Sequence, residues 1–226
     1  MISILANSIF LGLVIFLFVF LYLCLKKTTK NPYFILSVIS AWLLITATLS
    51  INGFFMNFGT MPPRILFAVF PVAALLIYIA FSSKPAFLKT NISQTWLINI
   101  QSFRIVMEVI LWLLAKEHIA PELLTWNGHN FDIIAGVSAP FIAYYCFTSN
   151  KRNKKVALVW NGFGMLLLVN VFAHGLLSAP TPFQGFFTNP SNTFVATFPY
   201  IWLPAFVVPC AFLFHILSIR KILNEK

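Results

Sequence analysis

Apolar runs alternate with short polar connections along the whole chain, and this alternation predicts its elements. Seven runs are expected as helices, over 2–25, 33–51, 65–81, 94–115, 131–148, 156–177 and 194–219. Crossing a bilayer takes ~20 predominantly apolar residues in a helix. The first run resembles a leader in place but not in make-up. It has no basic start and no clear small-residue cleavage site, and Lys26, Lys27 and Lys30 follow it, so it reads as a spanning helix. Pro32 suits the first turn of the second helix. Asn52-Gly53, Gly59 and Pro62-Pro63 break the chain before the third, and Pro71 is expected to kink it. Pro140 lies inside the fifth. Pro199, Pro204 and Pro209 punctuate the seventh and free backbone carbonyls that neighbours or water must satisfy.

The fourth run, QTWLINIQSFRIVMEVILW, departs from the rest because it carries charge. At ~100° per residue, Gln94, Gln101, Arg104, Glu108 and Trp112 fall within a sector of ~80°. The remaining faces are Leu, Ile, Val, Phe and Met. A charge at the centre of a membrane helix costs ~2.5–3.5 kcal/mol on insertion scales, so it faces protein or a water-filled cavity. The fourth helix is therefore expected inside the bundle, with its stripe turned inward.

Basic residues set an orientation. Lys26, Lys27, Lys30, Lys84, Lys89, Lys151, Arg152, Lys154, Lys155, Arg220, Lys221 and Lys226 fall on one side of a seven-helix arrangement, against Arg64 and Lys116 on the other. Twelve against two fits the positive-inside rule, with the N-terminus outside and the C-terminus cytoplasmic. No internal repeat is evident, so an inverted-repeat carrier is not directly supported.

Composition narrows the class further. The chain has 226 residues, 60% hydrophobic and 9% charged, where a soluble domain carries about 25% charged residues. One membrane domain, 1–226, accounts for all of it. The net charge of +10 comes in short clusters between apolar runs, not as one basic face, which argues against nucleic acid. Cys24, Cys146 and Cys210 lie within or at the ends of apolar spans and form no CxxC pair, so they read as packing residues.

The topology places Glu108, His129, Asp132, Asn170 and His174 at one depth in the outer half, although they come from three segments. Asn170 and His174, four residues apart, share a face of the sixth helix. With Gln101, Arg104 and Trp112 they make the candidate site: an outward-facing polar cavity with Arg104 at its floor, taking a small anionic or zwitterionic molecule. Three chemistries compete. Arg104 and Glu108 pair within their helix and the stripe only packs. Alternatively, Arg104 holds an anionic ligand while Glu108 and His174 exchange protons. In the third, an intramembrane enzyme acting on a lipid or lipid-linked substrate uses Glu108, Asp132 and His174 as acid–base or metal groups. No HExxH, HxxxH or GxSxG occurs, so no metal or cofactor is expected. His118 reads as a solvated loop residue, His215 as a satisfied packing histidine, and Asn161 as a bridge to a neighbouring helix away from the cavity.

QSFRIVMEVILW, GHNFDIIAGVSAP and SAPTPFQ resemble a family of small, uncharacterised bacterial polytopic membrane proteins, over the C-terminal two-thirds of the chain. The resemblance implies a seven-helix protein of a bacterial inner membrane and no activity. Families of known chemistry match less well. A retinal-binding rhodopsin needs a lysine within the last helix, and ceramidase-type zinc hydrolases need several spaced histidines. The expectation is an all-α, multi-pass integral membrane protein with the lipid bilayer as its partner. It binds, or carries, a small molecule, or else serves as an accessory subunit beside a second copy or another membrane protein.

Overall fold

The computed structural model describes residues 2–82, 92–148 and 153–224. Among these the protein is all-helical, with seven helices: α1 (Ile2–Thr28), α2 (Pro32–Ile51), α3 (Leu66–Phe81), α4 (Gln94–Lys116), α5 (Asp132–Phe147), α6 (Lys154–Ser178) and α7 (Leu203–Asn224). Lys84, Pro85, Lys89, Lys151, Arg152 and Lys226 lie outside the described residues. Helices α1, α2, α4, α6 and α7 are each long and apolar enough to cross a bilayer. Helices α3 and α5 have 16 residues each, about 24 Å at ~1.5 Å per residue, short of a ~30 Å hydrocarbon core.

Local sequence explains the helix starts. Pro32 is the first residue of α2, where its missing N–H costs nothing. Ser93 Oγ accepts from the Trp96 amide at 3.3 Å, and Asn153 Oδ1 accepts from the Val156 amide at 3.2 Å, capping α4 and α6. A 3₁₀ turn at Ile100–Ser102 tightens α4 just before Arg104. Arg220, near the end of α7, donates to the carbonyls of Ile79, Ala80 (2.8 Å) and Ser82, closing the C-terminal end of α3. The ends bearing Lys27, Gln94, Lys154 and Arg220 lie together; we call this the basic end.

Helix α4 is the hub. It packs against α1, α5 and α7, while α7 also holds α3 and α6. Helices α4 and α7 bury most of their length and α2 little of it. From α1 comes a stripe of Phe10, Leu13, Val14, Leu17, Phe20, Leu21 and Cys24, at the three- and four-residue spacing of one helical face. From α5 comes a row of small residues, Ala135, Gly136, Ala139 and Ala143. A Cβ added at Gly136 would stand 2.8 Å from Ile105 Cγ1, so the two helices meet nearly backbone to backbone.

The seventh helix starts later than the expected Phe194. Phe194–Ala196 is an isolated 3₁₀ turn, and the helix begins at Leu203 with a π turn through Val207. Prolines explain the shift. Pro199 cannot continue a helix begun at Phe194, whereas Pro204 sits in a first turn where no amide is needed. Pro209 leaves the Ala205 carbonyl without its usual donor, and Trp42 Nε1 supplies one at 3.2 Å. Ser50 Oγ donates to the Ala196 carbonyl at 2.7 Å, and Trp202 Nε1 donates back to the Leu43 carbonyl at 3.0 Å. Helix α2 thus stitches the irregular segment in place.

Replacing Trp42 with Phe leaves the Ala205 carbonyl unpaired and is expected to cost ~1–3 kcal/mol. Trp96→Phe, at an exposed position, should stay within ~0.5 kcal/mol of wild type. Thermal unfolding in detergent micelles compares the two.

Candidate functional site

The polar stripe of α4 is sealed inside the bundle. Arg104 and Glu108 are each 1% exposed, and Gln94 and Gln101 are buried with them. A guanidinium in such a place needs an opposite charge and partners for its donors. Asp132, the first residue of α5, supplies the charge. It takes Arg104 Nε on Oδ2 at 2.6 Å and Nη2 on Oδ1, a two-pronged ion pair. Nη2 also reaches the Gly164 carbonyl at 3.2 Å, and Nη1 meets His215 Nε2 at 3.1 Å.

The pairing differs from an Arg104–Glu108 bridge along one helix. Arginine preceding glutamate by four is the weaker order for such a pair, and Glu108 has another partner. Asn130 Nδ2 donates to Glu108 Oε1 and to the Leu124 carbonyl at 3.0 Å, and Asn130 Oδ1 accepts the Asp132 amide at 3.0 Å. The connection after α4 folds back into the bundle, with Ala120, Leu124, Thr125 and Asn130 buried. One asparagine is thereby inserted between the two carboxyl-bearing residues. Among the described residues, the buried Glu108 Oε2 and Gln101 Oε1 have no hydrogen-bond partner.

A guanidinium only donates, so His215 Nε2 must accept. The ring proton is then on Nδ1, which donates to Asn161 Oδ1 at 2.8 Å. Asn161 Nδ2 donates to the Ala157 carbonyl at 2.8 Å and to Ser218 Oγ at 3.0 Å. Ser218 Oγ donates to Gln94 Oε1 at 2.9 Å, and Gln94 Nε2 returns to the Ser218 carbonyl at 3.0 Å. Each bond polarises the next in the same sense, from Arg104 toward the basic end. The chain joins three helices, α4, α6 and α7, and Asp132 adds α5 through Arg104.

The eight candidate residues fall into three places. Gln101, Arg104, Glu108 and Asp132 share the buried network, with Gln101 Nε2 donating to the Ala211 carbonyl at 3.0 Å. His129, Asn170 and His174 form a surface group. Asn170 Nδ2 donates to the His129 carbonyl at 2.7 Å, His174 Nδ1 bonds the Asn170 carbonyl at 2.8 Å, and the two imidazoles lie 5.4 Å apart. The carboxyls of Glu108 and Asp132 are therefore committed to Asn130 and Arg104, while the His174 ring is held by Asn170. Trp112 stands apart again, stacked on Trp126 with centroids 5.8 Å apart and with Lys116 Nζ 5.6 Å from its ring.

Trp112 borders a cavity of about 280 Å³ at the end of α4 opposite the basic end, lined also by Lys116, His118, Glu122, Asn127 and Asn189. Two other cavities, about 420 Å³ between α3, α6 and α7 and about 260 Å³ beside α2 and α3, have apolar walls.

Sequence reasoning assigns no role to Asn130, Gly164 or Ser218 and gives Asn161 and His215 only packing or bridging roles. A signal was available. Ala211, His215 and Ser218 follow one another at four and three residues, and Asn161 precedes Gly164 by three. Each set is a small or polar stripe on an apolar helix, matching the stripe on α4.

An all-helical bundle with five helices of bilayer length and an ion pair sealed at its centre has the make-up of a membrane protein. The chain belongs to the family defined by a domain of unknown function (DUF8737), whose model matches residues 62–223. The whole polar network and the Trp112 cavity lie within that stretch, and α1 and α2 lie outside it. No curated protein and no solved structure matches the chain.

A Cβ at Gly164 would stand 2.5 Å from His215 Cε1 and 2.6 Å from Nε2, on a ring held at both nitrogens. Gly164→Ala is expected to destabilise by ~1–3 kcal/mol through overpacking. Gly162→Ala, where nothing lies within 4 Å, should be neutral or stabilise by up to ~1 kcal/mol through helix propensity. Unfolding of the two variants in parallel checks the contrast.

Proposed function

We propose that the protein is a multi-pass component of an inner (cytoplasmic) membrane, with its N-terminus outside and its C-terminus inside. It binds a small zwitterionic or anionic molecule in the cavity at the outer end of α4. The twelve-to-two excess of Lys and Arg that a seven-helix topology assigns to one side supports the orientation. The observation that carries the binding reading is the lining of that cavity. Lys116 and Glu122 bring opposite charges to one concavity, Trp112 walls it, and Asn127 and Asn189 add amides. Pockets of this kind bind by an apolar wall and a few placed polar groups. Arg104 is not the anchor, because its donors are committed to Asp132, Gly164 and His215. Its role in this reading is to hold α4, and hence Trp112 and Lys116, in position.

A second reading, an accessory subunit whose polar stripe only packs, is favoured by the burial of Arg104. Stable co-purification with another membrane protein or a second copy would mark it.

A thermal-shift screen in detergent against free amino acids tests the binding reading. A ligand at ~100 times its dissociation constant should add about 2.7 kcal/mol of stability. Lys116→Gln and Glu122→Gln, both at exposed positions, should keep wild-type stability without ligand and lose the shift. A shift that survives in both variants, or none for the wild type, removes the cavity from consideration.

A further inference from the structure

We infer that His129 and His174 form a two-histidine site for a first-row divalent metal of the zinc, nickel or copper type. Their ring centroids lie 5.4 Å apart. Two imidazoles sharing one tetrahedral ion at metal–nitrogen distances of ~2.0–2.1 Å place their centroids roughly 5 Å apart, which the observed separation matches.

The surroundings prepare both rings. His174 Nδ1 donates to the Asn170 carbonyl one turn earlier in α6, at 2.8 Å. That bond puts the ring proton on Nδ1 and leaves the Nε2 lone pair available. An imidazole held through its second nitrogen by a carbonyl is the arrangement that orients a metal ligand. Phe186 stacks on the same ring, 5.1 Å away and 7° from parallel, and fixes its plane. His129 is exposed, and Asn170 Nδ2 holds its backbone carbonyl at 2.7 Å. One asparagine therefore positions both histidines, with its carbonyl on one ring and its side chain on the other residue's backbone.

The donor set selects the ion. Neutral imidazole nitrogens suit zinc, nickel and copper, whereas calcium and magnesium take oxygen ligands. Among the described residues no third His, Cys, Asp or Glu completes a cluster, so water fills the remaining positions. Copper(II) should bind tightest, following the general order of divalent affinities.

The test uses the full chain in detergent, prepared without a polyhistidine tag and titrated with copper(II) alone. Electron paramagnetic resonance should report one equivalent bound through two nitrogens. His129→Gln and His174→Gln should each leave a one-nitrogen spectrum and weaken binding at least tenfold. Asn170→Ala, which releases the His129 backbone and keeps the carbonyl on His174, should weaken it while keeping both nitrogens. Because His129 is exposed, its variant stands as the decisive one should His174→Gln fail to fold. A wild-type spectrum that is unchanged in His129→Gln, or no bound copper at all, overturns the assignment and leaves His129 packed on a His174 ring stacked on Phe186.

Discussion

A guanidinium cannot rest in an apolar interior without an anion beside it, and the architecture answers that requirement at Arg104. Its charge is met by Asp132 from the next helix, its second Nη2 donor by the Gly164 carbonyl, and its Nη1 nitrogen by His215. These partners come from three different helices. Neutralising one side chain therefore sets the relative positions of α4, α5, α6 and α7. The geometry also fixes protons: a donor-only neighbour makes His215 an acceptor at Nε2, and Asn161, Ser218 and Gln94 fall into line behind it.

Small residues make this possible. Helices α4 and α5 approach closely because Gly136 has no side chain to fend off Ile105, and α6 admits the His215 ring because Gly164 has none either. In an apolar solvent, where burial of hydrocarbon gives helices no reason to associate, such close packing and interhelical hydrogen bonds hold a bundle together. The same economy appears at the start of α7. There the Ala205 carbonyl released by Pro209 is taken by Trp42, and the Ala196 carbonyl at the end of a 3₁₀ turn by Ser50, both of α2.

Much of this was legible in the chain. Seven apolar runs, a stripe running from Gln94 to Trp112, and prolines that break the last run all follow from periodicity and breaker chemistry. The partner of Arg104 was not legible. Glu108 is the nearest acid in sequence and sits on the same face, but the choice of Asp132 depends on the 117–131 connection folding inward and placing Asn130 between the two acids. No local pattern encodes the path of such a loop. His215 looked like packing because a lone histidine on an apolar helix is ambiguous until the facing helix is known. The same ambiguity separated His129, Asn170 and His174 from Arg104. They lie together, yet they face the surface while Arg104 faces the core.

A double-mutant cycle across the ion pair tests the central claim most directly. Arg104→Met, Asp132→Leu and the combined variant would be unfolded in detergent beside the wild type. If the pair organises the bundle, each single change strands a buried charge and costs ~3–5 kcal/mol, and the double variant recovers most of the loss. The coupling should then exceed ~2 kcal/mol. Additive losses, or single variants as stable as the wild type, would mean that the bundle stands without the pair and that Arg104 is a passenger in it.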